Sequence, residues 1–345
     1  MYIIDPLSDL RWVPFVERHP LACAFHTVGW MRALSHTYGY EPFAVTSTPP
    51  ESELTDAVPF CRIESWATGR RLVSLPFSDH CQPLVPSETA IGAVVNFVAE
   101  LSRREKYKFF ELRPSSPFAN AAVSDENRSA TYCIHWLDLT PPLETIFNGF
   151  QKDSIQRKIR RADRESLKYE EGRSSEMIDK FYGLLVRTRR RHQLPPQPIE
   201  WFRNLACSLA ESMQVRVASK GHLPVAAIVT LIHRNSVIYK YGCSDERYHA
   251  TGSMPFLFWR MIQDAKNAAI PLVDFGRSDL DNPGLIRFKD QWGTRKTELT
   301  YYRYPAPAPA HSSFGVAGKA AKAIFAKLPD NLLAIAGKLI YRHIG

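Results

Sequence analysis

Apolar positions Trp30, Met31 and Leu34 recur at a helical period within residues 25–38, and Thr27 stands where an N-cap would fall. The pattern then changes to short runs that read as strands at 42–47, 57–63 and 71–75, with Pro49-Pro50-Glu51-Ser52 as the first turn. Residues 89–104 return to the helical period on Val94, Val95, Phe97, Val98 and Leu101. The next run, Phe109-Phe110-Glu111-Leu112-Arg113-Pro114-Ser115, predicts a strand that ends in charge.

Much the same series recurs downstream. A strand over 132–139 leads to a helix rich in basic residues, and 198–213 predicts another helix. Strands follow at 215–218, 224–232 and 236–243, then a loop and a helix carried by Leu257, Trp259, Ile262 and Ala265. The closing strand, Val273-Asp274-Phe275-Gly276-Arg277-Ser278, is similar to Phe109–Ser115 in its place after a helix and in its Arg and Ser. The expected fold class is therefore α/β (α+β): two copies of one unit, each a mixed, largely antiparallel sheet flanked by helices. The expected division is 1–150, 151–304, and a Pro/Ala linker with a basic amphipathic tail at 305–345.

Charge separates the two copies. The net charge is +9, but residues 1–149 hold 12 Lys/Arg against 17 Asp/Glu, and residues 150–345 hold 32 against 18. An anionic partner is expected for the second part. Its basic helix carries Lys152, Arg157, Lys158, Arg160, Arg161, Arg164 and Lys168, and a second basic run spans 187–192. Both can be solvated faces; the second run also answers the negative end of its own helix. The tail, with Leu332, Leu333, Ile335 and Leu339 among Lys327, Lys338 and Arg342, can lie on an anionic membrane or dock on its own domain. No signal-peptide pattern and no run of eighteen apolar residues occurs, so the expectation is a cytoplasmic protein, peripheral at the inner membrane if the tail binds lipid.

The six cysteines are scattered, without metal-ligand spacing, and no metal is expected. Phosphate-binding Walker loops, dinucleotide glycine fingerprints, nucleophile elbows and His-Glu-x-x-His are all missing. Residues 271–296 concentrate the candidate chemistry. Asp274, Asp279 and Lys289 are the candidate catalytic groups, Arg277 and Lys289 can grip anions, and Arg277, Ser278 and Trp292 can line a substrate site. An ion pair between Asp274 and Arg277, and plain packing by Trp292, are the structural alternatives. Asp79 and His80, in a loop between two prolines, are further substrate candidates, or simply a surface loop.

Upstream of that stretch, Ile238-Tyr239-Lys240-Tyr241-Gly242 and the loop leading to Gly252-Ser253 present glycine-containing backbone at a helix start, where a phosphate can bind. This arrangement resembles the pantetheine and pyrophosphate site of the GNAT superfamily. Asp274-Phe-Gly-Arg-Ser followed by Phe288-Lys289 and Trp292-Gly293, the basic helix, Tyr239-Lys-Tyr-Gly and Leu75-Pro-Phe-Ser-Asp are similar to the FemAB family of tandem GNAT-like proteins. The resemblance covers roughly residues 25–304. It implies an acyltransferase that moves an acyl or aminoacyl group to an amine of a cell-envelope or polysaccharide precursor, as in peptidoglycan-bridge or exopolysaccharide synthesis. It implies no covalent intermediate and no tightly bound cofactor. Lys240, Tyr241, Gly252, Ser253 and Arg277 would then hold the donor. Met254 replaces the small residue usual in a GNAT phosphate loop, leaving aminoacyl-tRNA and acyl-CoA both open as co-substrate. The competing class is a catalytically inert basic module for nucleic acid or an anionic membrane.

Overall fold

In the computed structural model, which describes residues 1–118, 125–306 and 325–345, Thr27 caps the helix Val28–Tyr38 by accepting the Trp30 amide, and left-handed Gly39 ends it. The chain divides into two units. One comprises Met1–Cys133, the end of the last strand from Glu298, and Ile340–Gly345; the other comprises Ile134–Thr297 and the described residues up to Leu339. The division falls at Cys133 rather than near residue 150, because the strand there runs through it. The expected tether at 305–313 lies almost wholly outside the described residues, as does the tail up to residue 324.

The first unit contains β1 (Tyr2–Ile4), β2 (Glu41–Thr46), β3 (Val58–Ile63), β4 (Arg71–Val73) and β5 (Phe110–Leu112). Neighbours from β1 to β4 pair antiparallel, and β4 pairs parallel with β5 across the helix Glu88–Arg104. Ser87 caps that helix. Its apolar stripe, Val94, Val98 and Leu101, packs on Phe43, Phe60, Leu72 and Phe110. Each such side chain contributes roughly 1.5–3 kcal/mol by leaving water.

Two strands pass between the units, β6 (Arg128–Asp138) and, at the far end of the chain, β12 (Arg295–Tyr304). The second unit adds β7 (Lys168–Gly172), β8 (Met213–Lys220), β9 (Leu223–His233), β10 (Ser236–Ser244) and β11 (Leu272–Asp279), in the order β6-β11-β10-β9-β8-β7. Here too an antiparallel run ends in a parallel pair, β10 and β11, joined by a helix, Ser253–Asn267. The expected repeat is therefore present as topology, and β5 is the counterpart of β11.

The basic helix is shorter and less regular than its charge pattern predicts. A π-helical turn, Lys152–Gln156, leads into the α-helix Arg157–Arg164, and Lys168 already belongs to β7. Ser166 takes φ 51°, which stops the helix before Lys168. Ile155, Ile159 and Ala162 bury its thin apolar side.

The C-terminal helix, Asp330–Ile344, is docked through Leu333 and Gly337. A Cβ at Gly337 would collide with the Pro196 carbonyl oxygen. Gly337→Ala is therefore expected to release residues 330–344, raising their amide hydrogen exchange by at least tenfold with little change in the rest of the second unit. Unchanged protection would show that the helix does not rest there.

Candidate functional site

The parallel pair of the second unit opens from its start. β10 and β11 are in register over Ser236–Ile238 and Leu272–Asp274, and beyond this β10 shifts register against β9 between Tyr239 and Tyr241. Lys240 is the residue at that irregularity. Bulges re-aim side chains, and the carboxyl ends of diverging parallel strands are a common place for a ligand. Lys240 Nζ lies 5.4 Å from the Tyr241 ring centroid, and the Tyr241 hydroxyl accepts a 2.8 Å hydrogen bond from Trp201 Nε1.

On β11 the backbone turns at Gly276, which adopts φ 72°. Two side chains hold this turn. Buried Asp274 accepts the Gly276 amide at Oδ1, 2.7 Å, and Lys289 donates Nζ to the Gly276 carbonyl at 2.7 Å and to the Arg277 carbonyl at 3.0 Å. Lys289 comes from the short helix Pro283–Asp290 and is 1% exposed. Beyond the turn, Arg277 is half-buried, Ser278 is buried and Asp279 is exposed.

These placements revise several sequence assignments. Lys289 is expected to grip a substrate anion, but its ammonium is buried against two backbone carbonyls and braces the turn that presents Arg277. Asp274, a candidate base, is fully buried and holds the same turn from the other side. Trp292 is fully buried, in an aromatic cluster with Phe150, Phe258 and Phe275, and does not line a substrate surface. Gly252 and Ser253, assigned to a donor phosphate, are also buried. Gly252 lies so close to the basic helix that a Cβ would overlap the Lys158 carbonyl oxygen, and Pro255 lacks one amide donor of the first turn. Arg277, Asp279, Lys240 and Tyr241 are the members of the second-unit set that keep accessible surface.

Two polar surfaces border these elements. One is a cleft of about 810 Å³ lined by Asn148, Lys152, Asp153, Gln156, Arg157, Arg160 and Arg164. Asp153 pairs with Arg157 at 3.4 Å, but among the described residues Lys152, Arg160 and Arg164 make no ion pair, so the cleft keeps a positive excess. The other lies beside Arg187, Arg191, Asp245 and Arg247. Hydrogen bonding from Arg247 pulls the Asp245 carboxyl down to about 2, and the charge of Arg187 adds to this. A carboxyl lowered on folding contributes stability that is present above its unfolded value, about 4, and is lost as pH falls through about 2. Acid unfolding between those limits is accordingly expected to be shallower in Asp245→Asn than in the parent, measured by fluorescence.

In the first unit, Tyr301 donates its hydroxyl to the Asp79 carbonyl at 2.6 Å, and buried His80 meets the Phe25 ring edge-on at 5.5 Å. The counterpart of Arg277 there, Arg113, pairs with Glu111 at 3.0 Å, and Glu111 also binds Arg303 at 2.8 Å. Those arginines lower the Glu111 carboxyl against the opposing effect of burial. Two positions before Arg277 the residue is Phe275 instead of a glutamate. The glutamate that pairs with Arg113 thus has no equivalent at that position in the second copy.

Sequence reasoning missed His135 on β6. Its Nε2 lies 3.1 Å from Asp290 Oδ1, the residue after Lys289, and burial lowers its pKa against the opposing pull of that carboxylate. The pair ties the short helix to the sheet. Its members lie 155 positions apart, so no local pattern announces it.

Residues 150–290 match the family model described as acetyltransferase (GNAT) domain. Among solved structures, FemX is similar at TM-score 0.66 and 14% identity, over 87% of this chain and 97% of that one. L-PGS from Bacillus licheniformis follows at TM-score 0.57 and 12% identity, over 94% and 99%. A tandem GNAT protein from the clavulanic acid biosynthesis pathway gives 0.54 and 14%, over 90% and 99%. Comparison with curated proteins gives no match. At these identities the structural likeness establishes the tandem GNAT fold.

Proposed function

We propose that this tandem GNAT protein transfers an aminoacyl group from aminoacyl-tRNA to an amine of a cell-envelope or polysaccharide precursor. The observation that carries the reading is the kink in β11 at Gly276, held by Asp274 and Lys289, with partly exposed Arg277 as the next residue, beyond the stretch where β10 and β11 pair. Arg277 and Lys240 hold the anionic 3′ end of the donor beside its ester. The acceptor amine attacks the ester carbonyl, a C–N bond forms, exposed Asp279 accepts the amine proton, and as the C–O bond to the ribose breaks that proton passes to the departing ribose oxygen. The cationic groups stabilise the developing oxyanion, and no covalent enzyme intermediate is needed.

Burial of Gly252 and Ser253 favours aminoacyl-tRNA over acyl-CoA, since the usual place for a CoA pyrophosphate is closed by the Lys158 carbonyl. The cleft of Lys152, Arg157, Arg160 and Arg164 suits an RNA backbone instead. The test is to supply the purified chain with charged tRNA or acyl-CoA, together with amine-bearing envelope precursors, and to weigh the products. Product from charged tRNA is expected. Product only from acyl-CoA would overturn the donor assignment, and none from either would overturn the transfer reading.

A further inference from the structure

The C-terminal helix Asp330–Ile344 plays no part in the transfer proposed above, yet it is firmly placed. Leu333 and Gly337 are buried, Lys338 pairs with Glu200 at 3.0 Å, and Arg190 bonds the Leu328 carbonyl at 2.8 Å and the Asp330 carboxylate. Its outer side is apolar. Leu332, Ile335 and Leu339 are 46%, 54% and 61% exposed, and their spacing of three and four sets them in one stripe. Lys338 and Arg342, each three positions beyond a member of that stripe, border it, and residues 331–345 contain no Asp or Glu. At the last turn, Trp66 is 91% exposed with its ring 5.3 Å from His343. Its loop is pinned there by Ser65 Oγ on His343 Nδ1 and Thr68 Oγ1 on the His343 carbonyl, both at 2.9 Å.

We infer that this helix lies on an anionic lipid surface, with Leu332, Ile335 and Leu339 entering the interface and exposed Arg342 at the headgroups. An amphipathic helix with a cationic border binds lipid through apolar area plus attraction to anionic headgroups, and tryptophan favours the same boundary. Charge decides between occupants. A second copy packed on the stripe would bring Arg342 near its own kind with no acid in residues 331–345 to answer it, while Lys338 is already paired with Glu200. Three aliphatic side chains also fall well short of the roughly 1,200–2,000 Å² of a stable protein interface. Docking on the inner face and lipid contact on the outer face are compatible, so the two sequence readings of the tail become two sides of one helix.

The test is co-sedimentation of the full chain with vesicles of phosphatidylcholine alone or mixed with phosphatidylglycerol. Binding to the mixed vesicles is expected to be at least tenfold tighter, and to fall at least tenfold in the double variant Ile335→Ser, Leu339→Ser. Arg342→Glu, at an exposed position, provides a second variant with weakened binding should the first unfold. Transfer to a soluble amine acceptor is expected to be unchanged in all of them, so the lipid inference and the transfer reading can fail separately. Equal binding of parent and variants, absence of binding to mixed vesicles, or a dimer that the double variant abolishes would each overturn the inference.

Discussion

Arg277→Ala is expected to lower kcat/KM for amine aminoacylation by about 10²–10³-fold, the range seen when one preorganised electrostatic donor is removed. Its melting temperature should fall less than that of a variant at buried Lys289, because Arg277 is only partly buried. Arg277→Lys should recover part of the rate, since an ammonium keeps the charge but not the planar fork. Lys289→Met provides the contrast. It leaves the Gly276 and Arg277 carbonyls without their buried donor, at about 1–3 kcal/mol for each unsatisfied group, so activity and stability should fall together. Steady-state kinetics alongside thermal melts separates the two behaviours. Parental kcat/KM in Arg277→Ala would end the assignment.

The second large effect is expected at Gly252. Its φ of 79° disfavours any side chain, and a Cβ would also overlap the Lys158 carbonyl of the basic helix. Gly252→Ala combines left-handed strain with overpacking, together about 2–5 kcal/mol, enough to lower the melting temperature by several degrees. Gly252→Asn relieves part of the first cost and none of the second, so it should also be destabilised. Because the displaced neighbour is the basic helix, tRNA retardation on a gel should weaken in Gly252→Ala. A melt within one degree of the parent would mean that the loop and helix do not meet this closely.

Much of the site region was legible from its charges. Strand ends carrying Arg and Ser, repeated after a helix in each half, pointed to β5 and β11, and the positive excess pointed to the second unit. The pattern failed where a polar residue's role depends on a distant partner. Lys289 and Arg277 look alike in sequence as cations twelve positions apart, yet one is 1% exposed and the other keeps accessible surface. Gly252-Ser253 has the composition of a phosphate loop, but the basic helix that covers it begins almost a hundred positions earlier.

The sequence by itself determined the elements, their repetition and the charge of each half, because side-chain periodicity, caps and turn residues act over a few positions. Tertiary structure alone decided which charged groups brace the backbone and which reach solvent. The energy of a buried ammonium or carboxylate is set by the carbonyls and amides brought around it, and those come from residues that only folding makes neighbours.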